Sequence, residues 1–288
     1  MSGAAARLLA DGRRLHLQHG PIDIIAEAFG SGDERARAYD QAARRFESIL
    51  EELVAELPRL REPVGRLPPK VRGPVAQRMV DAVWPHRNVF VTPMAAVAGA
   101  VADEVLAYMV GGRDLRRAYV NDGGDVAVHL APGESFRTAV VDRLDAPEPS
   151  ERIELWAERP ARGLATSGWR GRSLSLGIAD AVTALARDAA AADAAATLIA
   201  NAVDCAHPSI RRLPASHLRE DSDLGDLPAT VEVGDLPTAS VAAALARGAA
   251  AAEAMRQRGL IQGARLALQG QVRRVGLESP EQGFKAAP

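Results

Sequence analysis

Lysine is nearly missing from these 288 residues: Lys70 and Lys285 are the only two, and arginine supplies the rest of the 35 basic side chains. That skew reads as genome composition rather than chemistry. Against 37 acidic residues it leaves a formal charge of −2, which excludes a broadly basic surface and argues against a nucleic-acid partner. Aromatic residues are 4%, so the core must be built mainly from Ala, Val, Leu and Ile. A single cysteine, Cys205, excludes an intrachain disulfide framework and any multi-cysteine metal site; a buried inert thiol is its expected state. No long apolar run is uninterrupted. Residues 89–110 come closest, but Pro93, Asp103 and Glu104 break them, and residues 1–20 lack the apolar centre of a leader. The expectation is a cytoplasmic protein with no membrane partner. No Walker loop, HExxH, GxSxG or GxGxxG pattern stands in a fitting context.

What is present fits an ordinary folded chain, 47% apolar and 25% charged. Residues 15–28 read as a strand. Residues 33–57 read as a helix, with Phe46, Ile49, Leu50, Leu53 and Leu57 at helical spacing and Pro58 as its stop. Five prolines make 58–74 a loop. A short helix over 75–83 and a strand over 88–91 follow. Thr92-Pro93 then opens a helix to about Val110 that is packed with small residues, including Ala98 and Gly99. Strands over 115–120 and 125–130 flank Asn121-Asp122-Gly123-Gly124, a hairpin signal. Further strands are expected over 136–141, 153–157 and 163–166, then Ala-rich helices over 178–188 and 191–203. A polar linker over 204–226, a strand over 230–233, a helix over 240–258 and a strand over 264–275 complete the pattern. The fold class is α+β, an antiparallel sheet with packed Ala-rich helices. It forms one domain over 1–277, with two intertwined subdomains as the alternative, and a flexible tail over 278–288.

Three segments could carry chemistry. Asn121-Asp122-Gly123-Gly124-Asp125 is either a plain tight turn or a nest of backbone N–H groups for an anion. The segment 165–173 gathers Thr166, Ser167, Gly168, Arg170, Gly171, Arg172 and Ser173, which could hold phosphate oxygens or simply form a solvated loop. On the third, Asp193 and Thr197 stand four apart on one helical face, a hard-oxygen pair of the kind Mg²⁺ accepts, or else a surface pair. Asp180 could face the same ligand. His16 and His19 would point to opposite faces of a strand, and structural histidines are the better reading than a metal site. His207 near Cys205 does not mark an activated nucleophile.

In order along the chain, His16-Leu17-Gln18-His19-Gly20-Pro21-Ile22-Asp23, residues 92–103, Asn121 to Asp125, Ala165 to Gly168, Ser175 to Val182 and Ala192 to Thr197 resemble the ApbE-like superfamily. They are most like its uncharacterised-protein-family (UPF) branch. The best-known members are flavin transferases, which bind FAD with Mg²⁺ and move FMN onto a threonine of a target protein. The resemblance implies a T-fold-like architecture and a metal pair of Asp193 and Thr197, from the A-D-x-x-x-T motif. It implies cofactor-binding residues Asn121, Gly123, Gly124 and Asp125, Thr166, Ser167 and Gly168, and Asp180.

Two departures stand out. Ala98 replaces the lysine of the transferases' K-G-x-x-x-D stretch, with Asp103 kept, and Gly177 replaces the histidine of H-I-x-D-P. Losing a cation and an imidazole from a phosphate site removes charge stabilisation worth roughly several kcal/mol at a transition state. Two functions therefore compete. One is a Mg²⁺-dependent FMN transferase or flavin-nucleotide hydrolase, with Arg170 and Arg172 replacing the missing cations. The other is a catalytically degenerate nucleotide-binding or accessory protein, for which the resemblance implies a role in sulfur assimilation and homocysteine formation; a second copy of the chain or a sulfur-pathway protein is the expected protein partner. An orphan domain whose glycine loops only make turns is the third and weakest reading.

Overall fold

The computed structural model describes residues 3–141 and 149–277, so the tail expected over 278–288 lies outside the described residues. In chain order come β1 (Ala5–Leu8), β2 (Leu15–His19), β3 (Ile22–Gly30), α1 (Gly32–Leu60), α2 (Pro74–Val83) and α3 (Val97–Val110). Next are β4 (Leu115–Asp122), β5 (Asp125–Leu130), β6 (Ser135–Val141), β7 (Pro149–Trp156), β8 (Gly163–Ser167), β9 (Ala181–Ala186) and α4 (Ala189–Ala202). The chain finishes with β10 (Ile210–Pro214), α5 (Ala215–Leu218), β11 (Pro228–Val233), α6 (Thr238–Gln257), β12 (Gly263–Leu268) and β13 (Gln271–Val275). It divides into two compact units, each assembled from separated stretches of sequence.

The first unit comprises Met1–Phe136, Leu155–Ala165 and Ala186–Ala194. Its strands run β1-β2-β3-β4-β5 as antiparallel neighbours, and Gly163 and Leu164 of β8 pair with Ala127 and Val126 of β5. α1 and α3 cover this sheet, with α2 packed on both helices. The start of α1 is well specified. Ser31 accepts the Glu34 N–H at 3.3 Å, and Asp33 and Glu34 place negative charge in the first turn, where the helix dipole favours it. Its buried stripe, Ala38, Ala42, Phe46, Ile49 and Leu53, follows helical spacing. Phe46 is fully buried, a contribution of about 2–3 kcal/mol.

The apolar stretch Pro93–Val110 is long and apolar enough to cross a membrane by length and composition alone. Here it is a core helix against α1, α2, β4 and β5. Its buried Glu104 is compensated: Arg45 Nε and Arg78 Nε lie 2.9 and 3.0 Å from its two carboxylate oxygens. Arg45 continues to Glu52 at 2.7 Å, so the buried charges form a chain rather than an orphan.

The second unit comprises Arg137–Glu154, Thr166–Leu185 and Ala195–Pro288. β9, β12 and β13 form an antiparallel run under α6, β10 pairs with β11 across a bulge at Arg211/Arg212, and β6 pairs with β7. Glu151 of β7 bridges Arg265 and Arg274 at 2.7 and 2.8 Å.

Several expectations need correction. The strand expected over 15–28 is a hairpin, because Gly20 takes φ +57 and Pro21 fixes the next φ, closing a two-residue turn. The closing strand over 264–275 is likewise a hairpin, turned at Gln269-Gly270. Helix α1 passes Pro58 and ends at Leu60, since a proline in the last turn removes only one amide bond. Residues 88–91 form no strand. The helix expected over 178–188 is instead the strand β9, buried at every position and paired with β12. Alanine by itself favours a helix, but Val182 and Thr183 favour a strand, and burial with pairing to β12 overrides the helical preference. The linker over 204–226 contains β10 and α5. The α+β class, the antiparallel sheet and the Ala-rich packed helices stand as expected.

Candidate functional site

In the first unit the metal-site candidate Asp193 lies one turn into α4, where its carboxylate accepts the Gly99 N–H at 3.1 Å. The Ala98 N–H also donates to it. Both donors belong to the first turn of α3, whose free amides need acceptors. Asp103, one turn further along α3, does the reverse. Its two oxygens accept the Ala189 and Ala190 N–H groups at 3.0 and 2.8 Å, and Asp188 takes the Ala191 N–H at 2.8 Å. The helix starts are thus exchanged caps. They sit so close that a Cβ at Gly99 would meet the Ala189 carbonyl oxygen at 2.3 Å, so only glycine fits.

Desolvation raises the pKa of Asp193, and the nearby negative Asp122 pushes it in the same direction, against the Gly99 and Ala98 hydrogen bonds. Asp122 is itself buried. Burial likewise raises Asp103 to about 7, opposed by its two backbone hydrogen bonds. Thr197 follows Asp193 by one turn of α4, and its hydroxyl has no partner among the described residues. Among those residues no group of three or more His, Cys, Asp or Glu side chains converges as a metal site.

The Asn121–Asp125 segment closes the β4–β5 hairpin. Gly123 and Gly124 take φ +67 and +114, and Asn121 Oδ1 accepts the Gly124 N–H at 2.8 Å. The turn reading accounts for this geometry: one of the amides a nest would offer is already occupied by Asn121. Asp122 and Asp125 pair across the turn, which fixes Asp122 at the end of β4.

In the second unit Thr166, Ser167, Gly168 and Asp180 are brought together. A Cβ at Gly168 would meet the Asp180 carbonyl oxygen at 2.4 Å, and the Trp169 N–H donates to the Ala179 oxygen at 3.0 Å. The Thr166 hydroxyl is bonded to Thr183 at 2.8 Å. Asp180 is a knot. One oxygen accepts from Arg170 Nε at 3.0 Å and Trp169 Nε1 at 3.3 Å, the other from the Gln269 N–H at 2.6 Å. Arg172 is exposed, and its carbonyl oxygen accepts from Arg219 at 2.5 Å.

Gly177 is as confined as Gly99, since a Cβ there would lie 2.0 Å from the Ala200 oxygen. His16 is held by Asp23 at 2.9 Å and Arg7 at 3.2 Å, and His19 lies 3.4 Å from Glu51. Cys205 is buried, and burial raises its pKa, so the thiol form is favoured. Asn201 and Gln269 hold neighbouring backbone in place, and residue type alone did not mark them. Asn201 Oδ1 accepts the Leu176 N–H at 2.9 Å, and the Gln269 side chain bridges the Leu236 N–H and the Gly234 oxygen. The one signal for Gln269 was its place before a glycine in a β-rich run.

The chain belongs to the family described as AbpE bacteria, whose model matches residues 6–274. The resemblance to the ApbE-like superfamily and its UPF branch is thereby borne out. The chain is 38% identical over 136 residues to a UPF0280 protein of Methanothrix thermoacetophila, covering 45% of this chain and 52% of that protein. It is 35% identical over 141 residues to a UPF0280 protein of Methanothermobacter thermautotrophicus, covering 46% and 50%. The chain thus spans about half the length of the curated relatives it matches. The flavin transferase ApbE from Vibrio cholerae has a similar fold, with TM-score 0.50 at 12% identity over 94% of this chain and 97% of that one.

Proposed function

We propose that this chain binds a flavin nucleotide, FAD or FMN, with Mg²⁺, using Asp193 and Thr197 for the metal. Asn121, Gly123, Gly124, Asp125, Thr166, Ser167, Gly168 and Asp180 would serve the nucleotide. The observation that carries the reading is Asp193: a desolvated carboxylate beside a second one, Asp122, is negative charge that a cation would relieve. The donors fit Mg²⁺, which takes oxygen ligands and is bound through one or two carboxylates together with substrate phosphates and water. When bound, the ion would supply charge neutralisation at the phosphates. The chain's own contribution is to hold the Asp193 carboxylate on the first-turn amides of α3, so that it is oriented before any ligand arrives.

A second reading, binding without FMN transfer, is favoured by Gly177 and Ala98. The backbone at Gly177 leaves no volume for any side chain, so the imidazole is excluded by packing as well as by sequence.

The test is a thermal-shift titration with FAD, FMN, ADP and AMP, each with and without Mg²⁺. A ligand at 100 times its dissociation constant adds about 2.7 kcal/mol of stability. The expected result is a Mg²⁺-dependent shift with FAD that Asp193→Asn abolishes while the variant stays folded. No shift with any flavin overturns the reading. Release of AMP from FAD in the presence of Mg²⁺ would select the enzyme, a transferase if the FMN is found on an acceptor hydroxyl and a hydrolase if it is free, and binding without AMP the degenerate protein.

A further inference from the structure

Arg170 is held on three sides in the second unit. The Gly171 N–H donates to the Gly168 oxygen at 3.1 Å, so Trp169 and Arg170 occupy the two central positions of a tight turn. The guanidinium carbon lies 4.5 Å from the centre of the Trp169 ring, and Nε donates to Asp180 at 3.0 Å. Asp180 is fixed in turn by the Trp169 indole and by the Gln269 amide. What remains of Arg170 is its outer edge: among the described residues neither terminal nitrogen has a partner, and the side chain is 32% exposed.

Arg162, in the first unit, shows what a structural arginine looks like in the same chain. Its terminal nitrogens reach the carbonyl oxygens of Arg159, Ala161 and Ala157 at 2.6–2.7 Å and that of Trp156 at 3.5 Å, which leaves no edge to offer. Arg170 is oriented as firmly through Nε and its ring face, yet keeps the paired donors that match two oxygens of a phosphate. Fixing the fork in advance removes most of the side-chain ordering cost that binding would otherwise carry.

We propose that Arg170, clamped between Trp169 and Asp180, is a phosphate-binding group that takes the phosphate or pyrophosphate of a ligand through its two terminal nitrogens. The inference rests on the nucleotide reading for the ligand's identity and on these contacts for the site. Arg172, exposed two residues on, adds positive charge nearby in the chain.

The test is calorimetric titration of the full chain with inorganic pyrophosphate, then with FAD and Mg²⁺, comparing wild type, Arg170→Lys and Arg170→Gln. Pyrophosphate binding weakened at least tenfold by Arg170→Gln, with Arg170→Lys in between, is expected. Should the Gln variant not fold, a threefold or greater loss in Arg170→Lys carries the same conclusion, because lysine keeps the charge and loses the fork. Unchanged binding in the variants, or no pyrophosphate binding by the wild type, overturns the proposal. FAD bound equally well by wild type and Arg170→Gln also overturns it while sparing the flavin reading. Arg170-dependent pyrophosphate binding without any FAD binding does the opposite.

Discussion

Asp103 of α3 accepts the first amides of α4, and Asp193 of α4 accepts those of α3, so each helix supplies the acceptor that the other's start requires. Capping side chains normally come from the residue just before the helix. Here α4 has its own cap in Asp188 as well, and the exchange adds a tie between two helices that are 86 residues apart in sequence at Asp103 and Ala189.

Gly99→Ala should disrupt that exchange by sterics alone. The added methyl would lie 2.3 Å from the Ala189 oxygen and 2.8 Å from the Ala190 Cα, both backbone atoms with little room to move. A loss of about 2–3 kcal/mol is expected. In a chain of this size that lowers the melting temperature by roughly 4–12 °C. Differential scanning calorimetry decides it; an unchanged melting temperature would mean that the two helix starts are not packed as described.

The pH dependence of stability follows from Asp103. Its folded-state pKa of about 7 lies above the ordinary 3.8, so between those values the folded state keeps a proton that the unfolded chain has released. Stability from this group therefore falls as pH rises from about 4 to 7, by an amount on the order of a few kcal/mol. Asp103→Asn should be less stable at pH 5, where it still loses an acceptor, but should show a flatter slope from pH 5 to 8. Denaturant unfolding of both proteins across that range measures the difference. Parallel slopes would sink the idea.

Restoring the histidine should not restore chemistry. Gly177→His places a Cβ 2.0 Å from the Ala200 oxygen and 2.8 Å from the Asn201 Cα, so the end of α4 must shift. A loss of about 3 kcal/mol or more is expected, with no gain of AMP release from FAD. A folded variant that gains release would show that the confinement at residue 177 yields easily.

Much of this was legible in the sequence, for identifiable reasons. The hairpin at Asn121-Asp122-Gly123-Gly124 was readable because turn chemistry is local, and α1 because its apolar stripe is a local period; its Ser31 cap was not read from the sequence. Residues 181–186 were misread, since Ala-Val-Thr-Ala-Leu-Ala has no decisive period and only pairing with β12 makes it a strand. Spacing correctly placed Asp193 and Thr197 on one helix face, but gave no hint that Asp193 would meet the amides of Ala98 and Gly99. Asp180 shows the same limit, for its partner Gln269 lies 89 residues away. Contacts across such distances leave no periodic trace.

Residues 175–180 between β8 and β9 carry no helix or strand of their own, yet Ile178 and Ala179 are fully buried. Their shape is imposed from outside: the Ile178 amide is bound by Val203, the Asp180 amide by Ala267, and the Ser175 carbonyl by Thr230. None of these partners precedes the segment in the chain, so it cannot order itself as it emerges during synthesis. Loops of this span must close before the contacts reward them, which slows the step. The stretch that joins Gly168 to Asp180 should therefore be among the last parts of the second unit to become structured, arriving only once α4, β11 and β12 are in place.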